Sequence, residues 1–217
     1  MTRACGRGWW MVVALSGCLG TPGWPVDPGE DGPTAVVLLD LQRDFLEDHG
    51  RMPIERTQVE PLLRHASDVV AEARARGLPV VRIHNAFSRA DVVGNLSRGG
   101  AAVEGSEGAE ADPRVPAGED ARFDKQWPDA FTNPDVDAWV RDHRVRRLVI
   151  VGVFADQCVE ATARAARHRL LEVSVVREGV GAGSGEARDR ALARLAAVGV
   201  EVVDQVSDLW FGAHEAR

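Results

Sequence analysis

Lysine is almost missing from this chain. All but one of its 26 basic residues are arginine, and the exception is Lys125, in "RFDKQWPDAF". Cysteine is scarce as well: Cys5, Cys18 and Cys158, with no CxxC and no Cys/His grouping at finger spacing, which excludes a structural zinc site. There is no basic cluster, and the net charge is −7, so nucleic acid is excluded as the main partner. No heptad array or repeat period is visible, which sets coiled coils and solenoids aside. The apolar run from Trp9 to Leu15 falls far short of the roughly 20 residues that a membrane-spanning helix needs.

What is present suits one α/β domain. The chain has 217 residues, 45% hydrophobic and 27% charged, enough for a sizeable core but too few for two ordinary domains plus linkers. The N-terminus stands apart. Arg3 and Arg7 precede the apolar run, which ends in "LSGC" at Cys18. That pattern resembles a bacterial lipoprotein signal, with cleavage before Cys18 and lipid carried on its sulfur. Residues 20–33 hold four Pro and four Gly, a tether rather than packed structure. The expected division is a signal peptide over 1–17, a flexible tether over 18–33 and a catalytic domain over 34–217. It places the protein outside the cytoplasm, anchored to the membrane through Cys18; the alternative is a cytoplasmic protein in which 1–33 is a disordered leader or a misplaced start with a chance four-residue match.

From residue 34 the chain alternates strand and helix patterns. "TAVVLLD" (34–40) and "RRLVIVGV" (146–153) are near-continuous apolar runs, the mark of strands covered on both faces. "LPVVRIH" (78–84), "EVSVVRE" (172–178) and "VEVV" (200–203) read as further strands, and "ARFDK" (121–125) as a short one. Helices are predicted over 60–77, 133–145, 157–171 and 185–199, the second opened by an Asn cap and a Pro. Residues 85–120 are Gly-rich with little periodicity and read as a long functional loop. The fold class is α/β: a three-layer, Rossmann-like fold whose mostly parallel sheet of about six strands carries helices on both faces.

In such sheets chemistry sits beyond the carboxyl ends of the strands. Asp40 closes the first strand, Lys125 the short third one, and Cys158 follows the strand 146–153. Each alone has an ordinary reading: a solvated carboxylate, a residual lysine, a small buried thiol. A carboxylate, an ammonium and a thiol at one sheet edge also make a nucleophile with a proton acceptor and an electrostatic partner.

"DLQRDF" (40–45), the lysine of "RFDKQWPDAF" and "VIVGVFADQCVEATARAA" (149–166) resemble, in this order, the isochorismatase-like cysteine hydrolases, a superfamily that includes nicotinamidases and N-carbamoylsarcosine amidases. The resemblance runs from about Thr34 to Val203. It implies a catalytic triad of Asp40, Lys125 and Cys158. It also implies an oxyanion hole from the backbone amides of Phe154 and Cys158, after a cis Val153–Phe154 bond. The implied activity is cysteine-dependent hydrolysis of a C–N bond in a small amide or ureido substrate, with water as the second reactant, through a thioester and without a cofactor. A thiolate at Cys158, in the first turn of its helix, would be favoured by the helix dipole. The alternative is a catalytically idle or redox-sensing protein of the same fold, anchored at the membrane.

Two departures narrow the expectation. Ala155 stands where members often have Thr three residues before the Cys. The Asp-x-His of metal-dependent nicotinamidases is missing around His84, where Arg82 takes the Asp place, so no catalytic metal is expected. Phe45, Trp127, Phe131 and Phe154 are the candidate pocket residues, and Arg89, Arg98 or Arg114 the candidates to pair a substrate carboxylate. A homo-oligomer is expected.

Overall fold

The computed structural model describes residues 32–211. Cys18, expected to carry lipid, and nearly all of the expected signal peptide and tether over 1–33 lie outside the described residues.

Six strands carry the fold: β1 (Thr34–Leu39), β2 (Val80–Asn85), β3 (Ala121–Lys125), β4 (Arg147–Val153), β5 (Glu172–Gly181) and β6 (Glu201–Val203). Every pairing is parallel, in the order β3-β2-β1-β4-β5-β6. The helices are α1 (Arg43–Leu46), α2 (Val59–Ala75), α3 (Val92–Ser97), α4 (Pro134–Asp142), α5 (Glu160–His168) and α6 (Gly185–Ala197).

All six residues of β1 are buried, and their alternation divides the core. Val36 and Leu38 point with Val149 and Val151 toward Leu62, Ala66, Val69 and Val70 of α2. Ala35, Val37 and Leu39 point with Leu148 and Ile150 toward α4, α5 and α6 through Val136, Val140, Ala163 and Leu192. A period of two along the strand therefore feeds two apolar layers, one on each face. Burial of this kind contributes roughly 1.5–3 kcal/mol for each large aliphatic side chain.

The strand order reverses at β1, flanked by β2 on one side and β4 on the other, and a crevice opens there beyond the strands' carboxyl ends. Two features bring the backbones close at that point. Gly152 lies opposite Leu39 in the β1–β4 register, and a Cβ there would run into the Leu39 carbonyl. Asp40 takes a left-handed φ of 57°, which Asp tolerates better than most residues. Its N–H donates to Ile83 O at 2.8 Å and its carbonyl accepts from Gln42 N at 2.9 Å. The Val153–Phe154 peptide is cis.

The structure differs from the sequence expectation in detail. The segment 85–120 contains α3, capped by Asp91, whose side chain accepts from Gly94 N. α4 stops at Asp142, just before Arg144 turns to a φ of 50°. β5 runs on to Gly181, with an irregularity in its pairing to β4 between Ile150 and Gly152. The helix expected from residue 157 begins instead as a π turn, Ala155–Val159, which passes into α5 at Glu160.

Candidate active site

The sheet register sets the site. Asn85 and Lys125 end β2 and β3 as opposite partners, and Asp40 follows β1 alongside them. The π turn after β4 brings Cys158 to the same point. The three residues singled out by sequence thus meet: Lys125 Nζ lies 2.9 Å from Asp40 Oδ2 and 3.3 Å from Cys158 Sγ. Its third contact is one the sequence reading missed, Asn85 Oδ1 at 2.7 Å. An ammonium has three protons to donate, and here each has an acceptor.

All four side chains are buried: Asp40 is 0% exposed, Lys125 3%, Asn85 4% and Cys158 6%. Burial lifts the Asp40 carboxyl above its usual range, against the pull of Lys125. Burial also opposes the charge of Lys125, but Asp40 and Cys158 together outweigh it and hold the ammonium above its ordinary range. The thiol is pushed up to about 12 by burial and then by the negative charge of Asp40, more than Lys125 draws it down. This corrects the expectation of a thiolate favoured by the helix dipole. Cys158 sits in the π turn, upstream of α5, and desolvation dominates. At rest Lys125 is therefore an ammonium and Cys158 a neutral thiol. Asp40 Oδ1 is buried and has no hydrogen-bond partner, leaving one carboxylate oxygen free to take a proton.

A cavity of about 520 Å³ opens onto Cys158, lined by Phe45, Phe87, Arg98, Trp127 and Phe154 among others. Phe45 and Phe154 meet edge to face with centroids 5.4 Å apart. Trp127 stands at the cavity's edge, 67% exposed. Phe131 is a correction. It does not line this cavity but is buried in the core on the α4/α5 side, under the Arg169 guanidinium at 4.2 Å. Its spacing from Lys125 carries it past the sheet edge into the short turn before α4.

Of the three arginines, Arg98 alone lines the cavity. Arg89 is engaged with Glu104, and Arg114 with Asp112, Glu60 and Leu46 O. Arg98 Nη2 donates to Asp91 Oδ2 at 2.8 Å and to Asn95 Oδ1 at 2.9 Å, and the guanidinium lies 3.8 Å over the Phe87 ring.

His84 is buried outside the cavity wall, its imidazole held neutral by a pKa lowered to about 4, chiefly by burial. Arg82 is tied to Asp120. Among the described residues no group of three or more His, Cys, Asp or Glu is placed to hold a metal ion.

Comparison with known proteins gives a consistent result. The model of the isochorismatase domain matches residues 34–207. An uncharacterised isochorismatase family protein of Bacillus subtilis, YddQ, is 26% identical over 134 residues, 61% of this chain and 69% of the relative. Among solved structures, an isochorismatase-like hydrolase from Alkaliphilus metalliredigens superposes with a TM-score of 0.73 at 20% identity, covering 79% of this chain and 94% of the other. The N-carbamoylsarcosine amidase of Thermoplasma acidophilum gives a TM-score of 0.69 at 25% identity, over 80% of this chain and 98% of that one.

Proposed function

The chain belongs to the isochorismatase domain family, and from that premise we propose that it is a cysteine-dependent amidohydrolase that cleaves a C–N bond in a small amide or ureido acid. One observation carries the reading. A single buried ammonium bonds both a thiol and a carboxylate, and the carboxylate keeps one oxygen without a partner. That is the arrangement needed to move a proton off sulfur and return it elsewhere.

In the reaction, Asp40 Oδ1 takes the proton of Cys158 as the sulfur attacks the substrate carbonyl carbon. Lys125 stays charged and holds both anionic centres. The negative charge on the carbonyl oxygen is received by the backbone amides of Phe154 and Cys158. The C–N bond breaks, Asp40 gives its proton to the departing nitrogen, and a thioester remains on Cys158. Water then attacks the thioester with Asp40 as base, releasing the acid and restoring the thiol. Arg98 is the cavity's cation for a substrate carboxylate. Arg98 spends Nη2 on Asp91 and Asn95 while its Nε makes no hydrogen bond, so the guanidinium keeps donor capacity.

Among the described residues a redox-sensing role has no resolving thiol, since Cys158 is the one free cysteine there. An idle role leaves the buried ammonium, carboxylate and thiol without a purpose that would offset the cost of burying them.

The thioester is what tests this reading. Turnover in the presence of hydroxylamine should divert part of the product to the hydroxamate, with ammonia release undiminished. Hydrolysis with no hydroxamate at any hydroxylamine concentration would point to direct attack by water instead.

A further inference from the structure

We infer that Asn85 is a further catalytic residue, whose side-chain N–H stabilises the Cys158 thiolate as it forms. The inference rests on Cys158 as the reacting group. Lys125 Nζ can only donate, so the Asn85 atom 2.7 Å away must be its carbonyl oxygen. This fixes the orientation of the amide and turns its NH2 group toward the sulfur, with Nδ2 at 3.8 Å from Sγ. In the resting site that contact is long and the thiol neutral. When Asp40 takes the proton, sulfur gains a full negative charge on a residue that is only 6% exposed, and a neutral donor already aimed at it needs little reorganisation. No bond of Asn85 breaks in the step: the proton goes from Sγ to Asp40 Oδ1, and the Asn85 N–H···S contact shortens. Asp40 raises the thiol pKa and Asn85 lowers it, so the amide partly cancels the penalty the base itself imposes.

Asn85 is held in place by Gln42, a positioning residue. Fully buried, Gln42 accepts from the Asn85 N–H at 2.9 Å and donates Nε2 to the Asn85 carbonyl at 2.8 Å. The Gln42 side chain thus pairs with Asn85 as a neighbouring strand would, beyond the point where β1 has ended. Nε2 also donates to Ala109 O at 2.7 Å, tying the long segment after β2 to the same anchor. Lys125 from one side and Gln42 from the other leave the Asn85 side chain a single direction.

The test is the rate at which Cys158 is alkylated by iodoacetamide at one fixed alkaline pH, followed in the full chain by the mass of its peptide. That rate follows the thiolate fraction and needs no substrate. Asn85→Leu removes the donor without adding charge and should slow alkylation by about tenfold or more, with kcat falling by a similar factor and KM little changed. Asn85→Asp keeps an acceptor for Lys125 but loses the donor, and should alkylate more slowly still while melting near the parent temperature. Alkylation of the Leu variant at the parent rate overturns the inference. If that variant does not fold, parent-like alkylation of the Asp variant overturns it. Slowed alkylation in a chain that hydrolyses no amide would leave Asn85 its role at the sulfur and remove the amidohydrolase reading.

Discussion

Lys125 places all three of its N–H groups inside the site, on Asp40, Asn85 and Cys158, with its side chain wholly removed from solvent. A guanidinium cannot reproduce this. It is planar and wide, spreads its charge over a fork, and would draw Asp40 off the thiol to satisfy its own geometry. Lys125→Arg should therefore lower kcat on the order of 100-fold although the charge is kept, since a misplacement of about 1 Å at reacting atoms costs that much. Near-parental kcat in the Arg variant would make the ammonium unremarkable and the single lysine an accident of composition. At this scale the sequence was informative because an arginine-rich chain makes its one lysine conspicuous. Asn85 was not legible: an Asn following an apolar strand looks like an ordinary strand end, and only the β2–β3 register places it opposite Lys125. The protonation of Cys158 was also misread, because a nearby helix start is visible in sequence and complete burial beside a carboxylate is not.

Among the elements, the buried strands were the clearest. β1 and β4 are continuous apolar runs because both of their faces are covered, and their ends point to Asp40 and Cys158 directly. The segment after β2 was opaque for the opposite reason. α3 has only six residues and none of them is buried; Val92, Val93 and Leu96 face outward at 71%, 82% and 82% exposure. It therefore presents no apolar face to the core and no helical period to read. What holds it is polar: the Asp91 cap and the Arg98 pair at its two ends. Arg98→Gln should raise KM for amides that bear a carboxylate by about 10- to 100-fold, the effect expected for losing a charged hydrogen bond. Uncharged amides should be affected little, and steady-state kinetics on a matched acid and methyl ester separates the two. An equal change for both members of the pair would remove Arg98 from substrate recognition.

For the whole molecule, the alternation of strands and helices suffices to anticipate a parallel sheet, and the reversal of strand order at β1 then determines where a small molecule can bind. The fold places Asp40 and Cys158 just beyond the ends of adjacent strands at that reversal and brings Lys125 in from β3, so Lys125 and Cys158, 85 and 118 positions after Asp40 in the chain, converge with it on one crevice. The expected leader and Cys18 lie outside the described residues, and none of the described helices is long and apolar enough to cross a membrane. The central claim concerns the thiol at the reversal point. Its most direct test is ammonia release from a panel of amides and ureido acids by the full chain beside its Cys158→Ala and Cys158→Ser variants. The account predicts release by the parent and none above background by either variant, with both variants melting near the parent temperature. Ammonia release that persists when the sulfur is gone would contradict it.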